Sequence, residues 1–311
     1  MDEEAMERFH ALPEPDLKED ILQHIQKKQD GNYFMNRPDG SCVMLDPDGL
    51  CRIQRNSSEE MLCITCRKFP RLAGRVQEDY WMSMAASCPV TAEYLWTRAV
   101  GWYMTDGETR QETHWRELPY ENERRERLEW FMDCIEKQSA AVSLSMEERV
   151  PILWNAYQRM YDLMEGCLEI LSSSPELHYL EGSFDYFEKD YGAAEIISHM
   201  MAFQEMYGGK LRDFAKNYML YRVYSRNLEF PEEAAGDSIF AVSGELFLFY
   251  ILRFSRHQTM HKEDLVSVVA EINWMYRFCA HSKRRCGKFA SLLKDKFKNL
   301  EYLAEIIIRI S

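Results

Sequence analysis

Glycine and proline are both scarce, 14 and 10 in 311 residues. Barrels and sandwiches need many tight turns, which draw on those two residues, so an all-β architecture is disfavoured. The glycine patterns that cradle phosphates are missing too. There is no GxGxxG and no GxxxxGK followed by Ser or Thr, which leaves no visible dinucleotide or P-loop core. The single glycine pair, Gly208-Gly209, reads as a turn between two helices. HExxH is absent, as is the CxxxCxxC spacing of radical enzymes. Positive charge is in deficit: Lys+Arg 38 against Asp+Glu 51, a net of −13. A general nucleic-acid surface needs clustered Lys and Arg, so no nucleic-acid partner is expected. No apolar run approaches 18 residues, so no membrane span is expected. Met1-Asp2-Glu3-Glu4 is acidic with no apolar run behind it, which reads as no secretory signal.

Cysteine is present and unevenly placed. Five of the nine, Cys42, Cys51, Cys63, Cys66 and Cys88, fall in one stretch; Cys134, Cys167, Cys279 and Cys286 are scattered through helical sequence. The spacing in the stretch is Cys-x8-Cys-x11-Cys-x2-Cys-x21-Cys. No histidine lies between Gly31 and Val90, so a metal held here is held mainly by thiolates. An odd cysteine count without a secretory signal implies a reducing, cytoplasmic location, where clustered cysteines more often hold metals than form disulfides. Three readings stay open on spacing alone: a zinc site, with Cys63 and Cys66 as its one close pair; an iron–sulfur cluster, which tolerates irregular spacing; and five buried free thiols. Arg67, Lys68 and Arg71 flank Cys66 and offer positive charge to a thiolate group or its cofactor.

The fold class expected is mainly α: a small irregular cysteine-rich module over residues 1–90, then an all-helical body over 91–311. In the module, helices are expected within residues 1–30, ending at Asp30-Gly31. Two turn sequences, Arg37-Pro38-Asp39-Gly40 and Asp46-Pro47-Asp48-Gly49, each precede a cysteine and bend the chain so that distant thiols can converge. Residues 59–67 read as one or two helical turns and 80–86 as a short strand. In the body, apolar spacing predicts helices over about 91–103, 120–138, 145–171, 192–207, 210–226, 238–256, 262–281 and 287–310, with a polar loop over 106–119. Ser145 and Glu148 form a capping-box sequence, and Ser172-Ser173-Ser174-Pro175 stops that helix. Tyr218, Tyr221 and Arg222 share one side of a helix at i, i+3, i+4 and are the candidate catalytic residues.

Several blocks together resemble a known family. Gly40–Gln54 (GSCVMLDPDGLCRIQ), Leu62–Arg71 (LCITCRKFPR), Ser87–Trp96 (SCPVTAEYLW), Asn217–Arg226 (NYMLYRVYSR) and Ile272–Ser282 (INWMYRFCAHS) resemble, in order, blocks of the flagellin lysine-N-methylase family. The resemblance implies methylation of lysine side chains on flagellin as the protein substrate, with S-adenosylmethionine as methyl donor. It also implies an iron–sulfur cluster, of the 4Fe–4S type, on Cys42, Cys51, Cys66 and Cys88, with Cys63 a less secure ligand. Arg67 and Arg71, as cations beside the thiols, are the candidate cofactor-binding residues. Members of that family usually begin with a further piece carrying Cys-Cys-x-Gly-Trp, and Met1 aligns just after it. The alternative expectation is a non-catalytic zinc- or cluster-binding helical protein, or an inactive truncated member.

Overall fold

A computed structural model describes residues 3–27, 33–34, 37, 42–48, 50–76, 79–106, 108–117, 122–139, 144–173, 183–229, 233, 235–259, 264–280 and 283–310. It is mainly α. The chain opens with α1 (Glu3–His10) and α2 (Pro15–His24), then a two-residue pairing of β1 (Gln26–Lys27) with β2 (Tyr33–Phe34). Short helices α3 (Arg52–Asn56) and α4 (Ile64–Lys68) follow, with one 3-10 turn, Glu59–Met61, between them. Phe9, Ile21, Met44, Ile53 and Leu62 close a small core under these pieces, and Cys63 is buried in it.

After α4 the chain forms a hairpin, β3 (Arg71–Val76) against β4 (Asp79–Met84), in register Arg71↔Met84 to Val76↔Asp79. Strand alternation sends Leu72 and Trp81 inward onto the large core and leaves Tyr80, Met82 and Met84 exposed. The change from small to large core therefore falls between Cys63 and Leu72, ahead of the expected module boundary at residue 90.

The body begins with α5 (Pro89–Thr97) and contains a hairpin where only helix and loop were expected: β5 (Trp102–Thr105) pairs with β6 (Arg110–Thr113). The body is thus not all-helical. Two side chains explain it. Asn217 accepts from the Val100 N–H (3.3 Å) and donates to the Leu95 and Arg98 carbonyls (3.2 and 2.8 Å), ending α5 early. The Asp106 carboxylate accepts from the Glu108 and Thr109 N–H groups (2.9 and 2.8 Å), building the turn.

The remaining elements are α6 (Asn122–Ser139), α7 (Met146–Ser172), a 3-10 stretch at 183–188, α8 (Ala193–Glu229), α9 (Ala235–Thr259), α10 (Leu265–Ala280), α11 (Lys283–Lys296) and α12 (Leu300–Ile310). At the head of α7 the Glu148 carboxylate accepts from the Ser145 N–H at 2.9 Å, as its capping sequence requires. The turn expected at Gly208-Gly209 does not form: α8 runs straight through. Two glycines cost about 1 kcal/mol each in a helix, but the buried Tyr207 and Leu211 on either side hold the turn in place. The helix expected over 287–310 is instead two. Asn299 caps α12 by accepting from the Tyr302 N–H at 2.9 Å. The turn expected at Pro38-Asp39-Gly40 and the stop at Ser174-Pro175 lie outside the described residues, but the helix expected to run to Asp30-Gly31 ends earlier: α2 stops at His24, Ile25 is extended, and β1 follows.

Helix α9 is the axis of the body. Its segment Gly236–His257 is long and apolar enough to cross a membrane, and the most apolar stretch of it is buried inside the protein. Helices α6, α7, α8, α10, α11 and α12 all contact it. Gly244 on α9 and Gly166 on α7 let α11 come close: a methyl group at either would lie 2.2 or 2.3 Å from a leucine of α11, Leu293 or Leu292.

Three polar side chains of α8 meet one acid of α9 in this interior. Tyr218 Oη donates to Glu245 Oε2 (2.8 Å), Arg222 Nε to the same oxygen (2.8 Å), and Arg226 Nη1 to Oε1 (3.1 Å). Removing one partner from such a group strands buried charge. Glu245→Gln should lower unfolding free energy by about 3 kcal/mol or more. Lys294→Ala, which breaks the exposed Lys294–Asp237 pair (59% and 53% exposed), should cost under about 1 kcal/mol. Urea denaturation followed by circular dichroism compares the two.

Candidate metal centre

The cysteine stretch is held by polar contacts as well as by its small apolar core. Asp48 accepts from the Leu50 N–H (3.1 Å) and the Asp46 N–H donates to the Leu50 carbonyl (2.9 Å), so the chain doubles back after Asp46. That turn pairs Leu45 with Cys51 in an antiparallel bridge. Arg37 donates to the carbonyls of Cys42, Val43 and Leu45 at 3.0–3.2 Å, and Arg52 to that of Val43 at 2.9 Å. Arg52 also pairs with Asp20 (2.6 Å), tying the turn to α2, while Arg55 pairs with Asp46 (2.7 Å). Cys51 caps α3 and Cys63 caps α4, whose first turn carries Cys66.

The result is a group of four thiols. Cys66 is held above its ordinary thiol pKa first by its hydrogen bond with Cys63, then by partial burial, then by the charges of Cys63, Cys42 and Cys51. Burial is the first cause of the upward shift at Cys42; the Met44 N–H and Arg37 oppose it, and Cys51 and Cys63 add to it. Four thiols this close resist losing successive protons, because each new thiolate faces the others. A bound cation inverts that balance. The donor chemistry fits a thiolate-held group. Among the described residues, however, no three or more His, Cys, Asp or Glu side chains converge as they would around a single ion. Four thiolates on one zinc would sit about 3.8 Å apart, given a Zn–S bond of about 2.3 Å; a cluster spaces them more widely.

Cys88 is not among the thiols that act most on Cys42 and Cys66. It caps α5, half-buried beside Ala85 and Ala86 of the large core, and donates its N–H to Ala85. The Ala85 N–H in turn donates to the Pro70 carbonyl at 2.7 Å, so the segment leading to Cys88 meets the segment leaving Cys66. Arg67 donates its N–H to the Cys63 carbonyl (3.0 Å), and Arg71 is exposed at the start of β3; neither is among the charges that act most on Cys66.

The candidate catalytic trio is interior. Tyr218, Tyr221 and Arg222 are 0%, 6% and 0% exposed. Tyr218 and Arg222 are engaged with Glu245, and Tyr221 Oη donates to the Met84 carbonyl at 2.7 Å. None of the three lines the cleft between α5, α9 and α10 or the two smaller cavities beside α12. Their polar atoms hold α8 to α9 and to the β3–β4 hairpin.

Two features escaped sequence reading. Cys167, Cys279 and Cys286, from three helices, come together in the body; burial pushes the Cys279 thiol well up, with Glu245 and the other two thiols adding to it. The second is a cleft of about 700 Å³ where α5, α9 and α10 meet. Its floor includes Glu271, 4% exposed, which accepts from Arg253 Nη1 (3.2 Å) and lies 3.6 Å from Arg256 Nε. Glu271 sits on the same helical face as Val268, Ile272 and Met275; a lone acid on an apolar stripe was the available clue. No protein-family model matches the chain, and no curated protein or solved structure matches it either. The family resemblance therefore rests on its sequence blocks alone.

Burial raises the Glu271 pKa from its ordinary 4.5 to about 7, against the opposing charges of Arg253 and Arg256. The folded protein then holds a proton that the unfolded chain has lost between those two values. Stability is highest below pH 4.5 on this account and declines as pH rises towards 7. The full loss is about 3 kcal/mol. Urea midpoints at pH 5 and pH 8 should differ less in Glu271→Gln than in the wild type. Equal slopes would assign the dependence to other groups.

Proposed function

We propose that the chain holds an iron–sulfur cluster on Cys42, Cys51, Cys63 and Cys66 and methylates lysine side chains of flagellin with S-adenosylmethionine, in the reducing cytoplasm. One observation carries the cluster: four thiols, gathered from three separate turns, act on one another in a site without histidine. The methylase reading is supported by the order and content of the sequence blocks. The fourth ligand is where the two lines of support diverge, since the resemblance names Cys88 and the thiol grouping names Cys63. Methyl transfer forms a nitrogen–carbon bond as the sulfonium carbon–sulfur bond breaks. It requires a deprotonated amine in line with that carbon and a site closed to water.

A second reading is a non-catalytic zinc protein. It is favoured by Cys63 and Cys66, which sit a hydrogen bond apart across one helical turn in the manner of half a zinc site.

Anaerobically purified protein should be brown, with iron and sulfide in matching amounts. Colourless protein with one tightly held zinc would establish the second reading instead. Cys51→Ser, Cys63→Ser and Cys66→Ser should each lose the metal, because a poor ligand replaces a thiolate, and should loosen residues 42–66. Cys134→Ser and Cys167→Ser should keep it. Loss in Cys88→Ser with retention in Cys63→Ser would restore the set that the resemblance implies. Activity is read separately: incubation with S-adenosylmethionine and flagellin should add methyl masses to lysine, and unmodified flagellin under conditions that keep the cluster would refute the methylase assignment.

A further inference from the structure

Between Glu60 and Glu93 the sequence holds four cations, Arg67, Lys68, Arg71 and Arg75, and only two acids, Glu78 and Asp79. In a chain of net charge −13 that is a local reversal of sign. None of the four cationic side chains has an ion pair or hydrogen bond among the described residues. Nor are Arg67 and Arg71 among the charges that act most on Cys66.

The β3–β4 hairpin sets two of these cations beside apolar side chains. Its register puts Arg71 opposite Met84, Ala73 opposite Met82 and Arg75 opposite Tyr80, and residues directly opposite share a face. All six are exposed. Tyr80, Met82 and Met84 are 70%, 66% and 42% exposed, and Phe69, just ahead of β3, is 48% exposed. One strand therefore presents an apolar row and the other a cationic row about 5 Å away, with Arg71 and Arg75 about 13 Å apart along β3. Asp79 is opposite Val76 and so falls on the other face. That other face is covered by α8, where Trp81 meets Tyr224.

We propose that the outer face of this hairpin docks an acidic amphipathic helix of a partner protein. The carboxylates of that helix lie on Arg71 and Arg75, which take them as paired acceptors, and its apolar side chains lie on Tyr80, Met82 and Met84. Methionine adapts well to such contacts, and an amphipathic helix supplies both rows at once. The six residues of β4 extend about 20 Å, the length of about 13 residues of helix. A two-fold pairing with a second copy fits less well, because it sets the cationic row against itself. An anionic bilayer fits less well too: it lies against a whole flank of an acidic molecule, whereas a helix touches only this face. The proposal does not depend on the methylase reading.

Fluorescence anisotropy of a labelled helical peptide of about 13 residues, Glu along one flank and Leu along the next, tests it on the whole chain. The Glu peptide should bind, less tightly as salt is raised, and a version with Lys at every Glu position should bind at least about tenfold more weakly. Arg75→Glu and Met82→Asp, both at exposed positions, should each lower affinity for the Glu peptide at least about tenfold, with the far-ultraviolet circular dichroism unchanged. Lys298→Glu, an exposed cation outside the hairpin, should leave it as in the wild type. Absence of binding, equal affinity for the two peptides, or unchanged affinity in a folded Arg75→Glu would overturn the assignment. So would binding to phosphatidylserine vesicles in place of the peptide, or a dimer in sedimentation that Arg75→Glu dissociates; these would give the face to a membrane or to a second copy.

Discussion

Two guanidinium groups and one phenol on α8 converge on a single carboxylate of α9. Tyr218, Arg222 and Arg226 lie at i, i+4 and i+8, so the contact runs along two turns of the helix. Charges this deep, at 0%, 4% and 1% exposure for Arg222, Arg226 and Glu245, persist only when each is multiply bonded. That requirement sets the register between α8 and α9. It reaches further, because Arg226 also holds Glu233, and Arg124 of α6 donates to the Glu233 carbonyl and the Ser238 hydroxyl. One polar seam thus orders three helices whose apolar faces alone would accept several registers.

The cysteine module is built on another principle. Its core is small, and its backbone carbonyls are collected by Arg37 and Arg52 rather than by regular secondary structure. Modules of this size commonly lean on a bound metal for part of their stability. The hairpin of β3 and β4 joins it to the body: Trp81 meets Tyr224 at 4.5 Å between ring centres, and Tyr221 donates to the Met84 carbonyl. Tyr218 and Tyr221, two of the three candidate catalytic residues, are anchors in this arrangement.

Much of the helical body was legible because its determinants are local. The apolar spacing of α7 and the Ser145–Glu148 cap act within a few residues, and so does the Asp46–Leu50 turn that folds Cys51 back. What escaped depends on partners far along the chain. Gly208-Gly209 stays helical because of what buries Tyr207 and Leu211. Helix α5 stops early because Asn217, more than a hundred residues on, takes over its last carbonyls. Spacing already set Cys63 beside Cys66; that Cys42 and Cys51 join them follows from how separate turns stack. Tyr218, Tyr221 and Arg222 looked functional since a polar stripe on a helix has the same pattern whether it faces a substrate or a neighbouring acid.

Helix α9 carries a consequence for how the protein is made. Its burial is shared among helices on both sides of it in the chain, and α10, α11 and α12 are synthesised after it. While those are still inside the ribosome, a segment apolar enough to enter a bilayer is uncovered on the faces they will later occupy. Domains that finish their core last expose aggregation-prone surface in the interval. The nascent chain therefore passes through a window in which part of α9 lacks the C-terminal helices that later cover it.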